Sequence, residues 1–433
     1  MGEKQFKYYL PAVALTTIML LGTVIGFNTI IDPYAMNDLI TIPGINVYTP
    51  CTETRLRLLK AHEVERAKPD SIILGSSRCH FGFRTGHPGW MKESQKRYNL
   101  AMDGATTKEM YYYLVHANSV HPLKMVLLGL DTYHPFRPVT TAPDFDTNIL
   151  MDNAGFLSEI KIFFADIKIL VSLDTLKNSI MTIRKQKSVH VSWDKADGQR
   201  SGEEFFHRAD GDFKKFGQRY LFDEIDKSDV QYFVDIKEQA PKESRIYAEA
   251  PIKKETLTSM DYIGKIIEFC RGHGIKLIIF FTPEHARHLE LAAAGIGLEK
   301  IENGKRGVVQ LLAEDARQHP GEAPFALFDF SGYSQITTEP LPPVGSHKEM
   351  KYYWESSHFK ENAGDLVLNR IFGIEDPQNP VPSDFGILLT QENIESVIVQ
   401  LERGHMEYGL HHPEEIKQIK KWVDDFKKEH NSQ

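Results

Sequence analysis

The N-terminal segment constrains this chain more than any other feature. Two lysines, Lys4 and Lys7, precede a run from Tyr8 to Ile31 that contains no charged residue. About 20 apolar residues are enough to cross the hydrocarbon core of a bilayer, and basic residues ahead of such a run favour a cytoplasmic N-terminus. We therefore predict a single-pass membrane anchor at 1–34, with the rest of the chain extracytoplasmic, in the periplasm or at the cell surface.

Two other interpretations of this apolar run remain open at the sequence level. A cleaved signal peptide would carry an A-x-A-like cleavage site, and no clear one follows the run. A buried core helix is less consistent with a run of this length at the extreme N-terminus. The membrane anchor is the preferred interpretation.

Composition limits what the remaining chain can do. The 433 residues allow two domains or one large α/β domain with insertions. The net charge of −8 provides no basic field for nucleic acid, so we predict no nucleic-acid partner. The three cysteines, Cys51, Cys79 and Cys270, include no pair at a metal-ligand spacing. We predict no metal and no cofactor.

Short apolar runs separated by helical patterns predict an α/β fold. Strands are expected at Ser71–Gly75, Tyr98–Ala101, Lys124–Leu130, Ile275–Phe281 and Phe325–Phe330. Strands that alternate with helices imply a parallel sheet with helices on both faces, a three-layer α/β/α arrangement. We expect Ser71–Leu74, Lys124–Leu130 and Ile275–Phe281 to be neighbouring inner strands.

The helical patterns set the expected domain boundaries. Helices are predicted at Thr52–Lys68, Thr107–Ala117, Gly155–Leu173, Thr256–Arg271, Pro283–Ala293, Lys300–Gln318 and Glu361–Phe372. Residues from about 178 to 254 are charged and weakly patterned, which is typical of an insertion rather than core. We predict an α/β domain at 50–375 that carries this insertion, followed by a helical tail at 376–433.

Ser77 is the first candidate for chemistry. It belongs to Gly75-Ser76-Ser77-Arg78, directly after the first predicted strand. Ligands of parallel α/β sheets bind at the carboxyl ends of the strands, and a serine on a tight turn there is exposed to the crevice. The alternative is a serine that only caps the following helix.

Glu355 and His358 form the second candidate group. Serine is a poor nucleophile until a base, usually histidine, takes its proton, and the histidine needs an acid to fix its tautomer. Glu355 and His358 lie three residues apart, just ahead of the predicted helix at Glu361, so one segment supplies both groups. The alternative is a solvated surface histidine.

Two further turns contribute candidate oxyanion donors. Gly104 follows the second predicted strand and Asp131 ends the third, at the same edge of the sheet as Ser77. A glycine lets its N–H approach a ligand closely. Hydrogen-bond donors directed at a developing oxyanion contribute much of the stabilisation of the transition state. We predict an oxyanion hole made by Ser77, Gly104 and Asp131.

Together these blocks resemble the SGNH (GDSL-type) hydrolase superfamily, in particular its membrane-anchored members of cell-envelope glycan and teichoic-acid acylation. Gly75-Ser76-Ser77 resembles the first block, with Ser77 at the nucleophile position. Gly104 resembles the glycine of the second block. Glu355-x-x-His358 resembles the late D-x-x-H block, with glutamate replacing the usual aspartate. The resemblance covers residues from about 70 to 372.

The resemblance implies a fold of the SGNH/flavodoxin-like type and a serine acyltransferase or esterase. Such an enzyme would act on O-acyl groups of a cell-envelope or secreted polysaccharide. Ser77 would attack the acyl carbonyl, His358 would carry the proton and Glu355 would orient the ring. The expected partners are the membrane, a glycan substrate and a membrane-bound O-acyltransferase.

Asp131 departs from the family pattern, which has an amide donor in its third block. An ionised carboxylate would repel an oxyanion. Either Asp131 points elsewhere, toward Arg78, or the third donor is missing. This departure motivates a second hypothesis, a non-catalytic SGNH-like partner that binds glycan or a membrane O-acyltransferase.

Two other sets of residues are expected to have structural rather than catalytic or metal-binding roles. Cys79 is expected to be a buried small hydrophobe rather than a reactive thiol. His285 and His288 lie i, i+3, but no additional ligand pattern accompanies them. We predict that these histidines lie on a solvated helix face.

Overall fold

The computed structural model describes residues 3–37, 39–92, 94–150, 156–187, 197–202, 205, 217–238 and 257–431. The chain divides into two units. The first consists of Met1–Arg66 and Asp144–His190, and the second of Ala67–Pro143 and Val191–Gln433.

The first unit is built around the N-terminal helix α1 (Glu3–Ile31), whose run from Tyr8 to Ile31 is long and apolar enough to cross a membrane and is exposed over residues 8–23. Helix α2 (Leu56–Ala67) follows, and α5 (Phe156–Leu170) and α6 (Leu173–Arg184) both contact α1. Helix α5 agrees with the helix predicted at Gly155–Leu173, whereas α6 was not predicted. Two helices form because Ser172 caps α6, accepting a hydrogen bond from the Thr175 N–H.

A six-stranded sheet forms the centre of the second unit. Its strands are β1 (Ser71–Leu74), β2 (Arg97–Asn99), β3 (Met125–Leu130), β4 (Lys276–Phe281), β5 (Ala326–Asp329) and β6 (Ile387–Leu388), in the order β2-β1-β3-β4-β5-β6. All neighbouring pairs are parallel except β5 and β6. The predicted parallel sheet is confirmed, with β1, β3 and β4 as neighbouring inner strands.

Helices connect these strands or follow the last one in the described part of the chain. They are α3 (Ser77–Gly82), α4 (Thr107–Val120), α7 (Gln218–Glu238), α8 (Ser259–Gly272), α9 (Ala286–Ile296), α10 (Leu298–Gln318), α11 (Glu361–Phe372), α12 (Ile394–His411) and α13 (Pro413–Asn431). Reciprocal capping boxes begin α4, at Thr106 and Glu109, and α8, at Thr258 and Asp261. The main core cluster combines strand and helix residues, among them Leu127 of β3.

Two segments that the sequence placed outside the core contribute side chains to it. Phe222 of α7, within the predicted insertion, is buried in the main cluster. Phe233 of α7 packs in a second cluster with Leu401 of α12 and Val423 of α13, so the predicted tail belongs to the same unit. Residues 188–196, 203–204, 206–216 and 239–254 of the predicted insertion lie outside the described residues.

The topology brings three turns to one edge of the sheet. Strands β2, β1 and β3 are adjacent and parallel, so their carboxyl ends meet. Ser77 follows β1, Gly104 follows β2 and Asp131 follows β3 directly.

Candidate active site

The turn after β1 gives its two serines different roles. Ser76 is buried and caps α3: its Oγ accepts a hydrogen bond from the Arg78 N–H at 3.3 Å and donates one to the Asp131 carboxylate at 3.0 Å. Ser77 is the first residue of α3 and is only partly buried. The capping role considered for this turn therefore falls to Ser76, which leaves the Ser77 hydroxyl for other contacts.

Close backbone packing fixes the position of this turn. A Cβ on Gly75 would lie 2.4 Å from the Cys79 Sγ, and a Cβ on Gly129 would lie 2.2 Å from the same sulfur. Cys79 is fully buried between them, as the sequence interpretation expected. Burial raises the pKa of its thiol, which opposes the reactive role. Helix α3 thus sits tightly against β1 and β3.

A narrow loop carries Glu355 and His358. Tyr353 and Phe359 form an antiparallel bridge at its base, and the Trp354 N–H donates to the His358 carbonyl at 2.9 Å. Within the loop, the Glu355 carboxylate accepts a hydrogen bond of 2.8 Å from the Ser357 N–H. These bonds bring the acid and the histidine to the same side of the loop.

The side chains of Ser77, His358 and Glu355 form one hydrogen-bonded chain. The Ser77 Oγ lies 2.7 Å from His358 Nε2, and His358 Nδ1 contacts Glu355 Oε1. Because the carboxylate can only accept, Nδ1 carries the proton and Nε2 is free to accept from the serine. The structure thus brings together the three residues predicted to be catalytic, in the order that proton transfer from serine requires.

Glu355 is held in its charged form. Its side chain is fully buried, which by itself disfavours the carboxylate. The contact with His358 and the hydrogen bond from the Ser357 N–H outweigh burial and lower the pKa of Glu355 below its ordinary value. The acid is therefore ionised at neutral pH and able to orient the imidazole.

Aromatic rings enclose His358. Phe81 of α3 meets the imidazole edge-on at 5.2 Å between ring centroids, and Phe205 lies 5.4 Å away. Trp354 stacks on Phe205 at 6.0 Å. This wall restricts rotation of the imidazole and excludes water from that side. No pattern in the sequence points to Phe205, because it lies in a weakly patterned segment.

Asp103 introduces a further charge close to the imidazole. It accepts a hydrogen bond of 2.9 Å from His80 Nδ1 and forms an ion pair with Arg200. Burial disfavours its charge, but Arg200, His80 and His358 together hold the pKa of Asp103 well below its usual range. The sequence does not single out Asp103, because its partners come from distant segments.

Gly104 lies in the turn that follows β2, where the Ala105 N–H donates to the Met102 carbonyl at 3.0 Å. Its φ of +62° favours glycine at this turn position. The Met102 N–H donates to the Gly75 carbonyl at 3.1 Å, which ties this turn to the Ser77 turn. Gly104 is exposed, and a Cβ there would meet no atom within 4 Å.

Asp131, the third predicted oxyanion residue, is bonded elsewhere. Its carboxylate pairs with Arg78 at 2.8 Å and accepts hydrogen bonds from Ser76 and Thr282. Its N–H donates to His134 Nδ1 at 2.8 Å. Both of its polar groups are therefore occupied within the scaffold, which corrects the prediction that Asp131 contributes an oxyanion donor. The sequence-level alternative, in which it points to Arg78, is the one observed.

Arg78 is the centre of a buried charge network behind the site. Its Nε donates to the Ser357 carbonyl at 2.9 Å, and its guanidinium also contacts Glu284 at 3.4 Å. Glu284 and Asp229 in turn contact the two nitrogens of His288, at 2.8 and 3.1 Å. The network links α3, the loop of His358 and α7.

The prediction that His285 and His288 are solvated is wrong. Both are 1% exposed, because α9 packs against α7 and α13. Burial lowers the pKa of His285 to about 4, whereas hydrogen bonds to Asp229 and Glu284 overcome burial and raise the pKa of His288 to about 9. Among the described residues, no group of three or more His, Cys, Asp or Glu is arranged to hold a metal ion.

Comparison with known proteins does not identify a family for this chain. A scan against protein-family models found no match, and a search of curated proteins found no similar sequence.

Proposed function

We propose that this protein is a membrane-anchored serine acyltransferase or esterase. The observation that carries the proposal is the continuous hydrogen-bonded chain from Ser77 through His358 to Glu355. A nucleophile, a base and an acid that orients the base recur together on unrelated folds for acyl transfer. Ser77 is partly accessible while Glu355 is buried, which suits a nucleophile and an orienting acid respectively.

The proposed reaction begins with attack of the Ser77 Oγ on an acyl carbonyl. His358 Nε2 accepts the serine proton, and Glu355 stabilises the imidazolium that forms. Collapse of the tetrahedral intermediate expels the alkoxide leaving group, which takes the proton from His358. A sugar hydroxyl or water then repeats the sequence on the acyl-enzyme, with His358 as base. The N–H groups of Ser77 and Gly104 are the proposed oxyanion donors.

We propose an SGNH-like, three-layer α/β/α architecture for the second unit. The support is the order of the blocks along the chain: a serine turn after β1, a glycine turn after β2, and an acid-x-x-His loop immediately before α11. The parallel sheet and its connecting helices are consistent with this assignment. Glutamate in place of the usual aspartate is a departure, but the longer side chain still reaches Nδ1 of His358.

The proposed setting is the outer face of the cell membrane. Helix α1 supports an anchor, and the lysines ahead of it favour an N-terminus in the cytoplasm. An extracytoplasmic acyl-transfer site next to a membrane suits a cell-envelope or secreted polysaccharide as the acceptor or substrate. A membrane-bound O-acyltransferase is the proposed partner, which would deliver the acyl group from the membrane side.

A specific observation favours the second candidate, a non-catalytic SGNH-like partner that binds glycan or the O-acyltransferase. Asp131 is bonded to Arg78 and His134, so the position that should supply a third oxyanion donor supplies none. A relative without catalysis would tolerate this loss. Reactivity of Ser77 separates the two candidates.

The deciding experiment is active-site labelling of the full-length protein in detergent with a fluorophosphonate probe. We expect wild type and Ser396→Ala, which removes an exposed serine, to be labelled alike. Ser77→Ala should take no label and His358→Ala very little, because the two residues act as a unit. Absence of label on folded wild type, or equal labelling of wild type and Ser77→Ala, contradicts the enzyme and favours the partner.

A further inference from the structure

Helix α6 has an inverted distribution of polar and apolar side chains. Its inner face buries three hydroxyl residues, Thr175, Ser179 and Thr182. Its outer face exposes Leu173, at 80%, together with Ile180 and Ile183. At about 100° per residue, the apolar set lies on one side of the helix and the buried polar set on another. A water-facing helix shows the opposite arrangement.

The inner face of α6 bonds to α1 through Asn28. The Asn28 side chain is completely buried, and its Nδ2 donates to the Leu170 carbonyl at 2.7 Å. The Ser179 hydroxyl donates to Asn28 Oδ1 at 2.8 Å. Serine and asparagine bonds of this kind join helices at or within membranes. Helix α6 is therefore fixed to α1 at a definite level.

That level matches the end expected for a segment of α1 that spans a bilayer. A hydrocarbon core of about 30 Å takes about 20 helical residues, so a span that begins at Tyr8 ends near Phe27, one residue before Asn28. The exposure of α1 begins to fall about one turn earlier: residues 8–23 are exposed, and Val24 is the first to be partly covered. The contact between α1 and α6 thus lies where a bilayer-spanning α1 would meet the headgroups.

Neighbouring residues of the first unit extend the apolar surface. Phe163 and Phe164, in the middle of α5, are 60% and 65% exposed. In the loop after α1, Leu39 and Ile40 are also exposed, and Asn46 ties this loop to the Ile30 carbonyl at 3.0 Å. Exposed apolar side chains such as these, in the same unit as α6, are typical of an interaction surface.

We propose that the outer face of α6 lies in the interface of the lipid bilayer, beside the exit point of α1. Lipid is the favoured occupant because the Asn28 bonds hold α6 beside α1, close to the level at which the exposed apolar run of α1 ends. The exposed Lys177 and Arg184 flank the apolar face, where they meet anionic headgroups. The protein thereby contacts the membrane through two helices: α1, which spans it, and α6, which lies in its interface. This inference does not depend on the chemistry of Ser77.

Single-cysteine labelling of the full-length protein tests the proposal. Because Cys51, Cys79 and Cys270 are buried, an introduced surface cysteine is the reactive one, and wild type measures the background. Leu173→Cys and Ile180→Cys report on the apolar face. Asp174→Cys is the matched control, because Asp174 is exposed on the same helix but about 100° from Leu173.

Each variant is labelled with a polarity-sensitive fluorophore and reconstituted at one copy per nanodisc containing phosphatidylglycerol. We expect brominated acyl chains to lower the emission at positions 173 and 180 about twofold or more, and to leave position 174 nearly unchanged. Emission at 173 and 180 that stays water-like and unquenched overturns the proposal and leaves this face to a protein partner. Equal quenching at all three positions also overturns it, because the outer face would then have no preference for lipid.

Discussion

Arg78 Nε donates a hydrogen bond of 2.9 Å to the backbone carbonyl of Ser357. Arg78 follows Ser77 directly, and Ser357 precedes His358. A single buried guanidinium therefore joins the nucleophile segment to the base segment, although 279 positions separate the bonded residues. The same group neutralises Asp131 and contacts Glu284.

Replacing Arg78 should be costly because it leaves buried carboxylates without their cation. We expect Arg78→Leu to lower the free energy of unfolding by about 3–5 kcal/mol, measured by urea unfolding in detergent. The double variant Arg78→Leu/Asp131→Asn should recover part of that loss, since it removes one of the stranded charges. Strict additivity of the two substitutions would show that the 2.8 Å ion pair contributes little.

Glu355→Gln tests whether the acid sets the tautomer of His358. The amide of glutamine can donate to Nδ1, which favours the proton on Nε2 and removes the acceptor that Ser77 needs. We expect fluorophosphonate labelling to slow by about 10²-fold or more, less than the loss in Ser77→Ala. Glu375→Gln, an exposed substitution on the same part of the chain, should label like wild type. An unchanged rate in Glu355→Gln would remove the acid from the mechanism.

Two helical glycines should respond to alanine with opposite signs. A Cβ on Gly364 of α11 would lie 1.9 Å from the Gly82 carbonyl oxygen of α3. This oxygen is a backbone atom and cannot move away unless the chain around it shifts. We expect Gly364→Ala to destabilise the protein by about 1–3 kcal/mol and to slow labelling of Ser77, because α3 begins at that residue.

Gly264 of α8 is the matched control for this steric argument. The nearest atom to a Cβ there is 3.8 Å away, an ordinary contact. Alanine should therefore stabilise the helix by up to about 1 kcal/mol, measured by the same urea unfolding. A loss of stability in both variants would point to general intolerance of these helices rather than to the contact between α3 and α11.

The sheet and the three aligned site residues could be predicted from the sequence because their signals are local. Strand β3 is an unbroken buried apolar run, as expected of a strand covered on both faces. A parallel sheet then places the residue after β1 at the carboxyl edge, and Glu355 and His358 lie three residues apart in one loop. Strand β6, with two residues and antiparallel pairing, is too short to leave a periodic signal.

The buried charge network could not be predicted, because its partners meet only in the fold. A polar helix start with His285 and His288 has the same pattern whether it faces water or a neighbouring helix. The helices that cover it, α7 and α13, come from segments whose own patterns are weak or polar. Because the sequence does not show that these helices cover α9, it predicts a solvated face for His285 and His288, and that prediction is wrong.

His288 should make stability depend on pH above neutrality. It faces Glu284 and Asp229, with Arg78 nearby, and its pKa is raised to about 9 from an ordinary value of 6.5. A raised pKa means that the folded state holds the proton more tightly. The resulting stability is therefore complete below about pH 6.5 and is lost as pH rises through about 9.

We expect the free energy of unfolding to fall by up to about 3 kcal/mol between pH 7 and pH 10, since each pKa unit is worth about 1.4 kcal/mol. His288→Gln should be less stable at pH 7 but should lose much less on going to pH 10. For His273→Gln, at the exposed end of α8, the free energy of unfolding should fall between pH 7 and pH 10 as it does in wild type. Chemical unfolding followed across that range measures both quantities. If the free energy of unfolding of His288→Gln falls between pH 7 and pH 10 as much as that of wild type, another group loses the proton. The two carboxylates then do not hold His288 in its charged form.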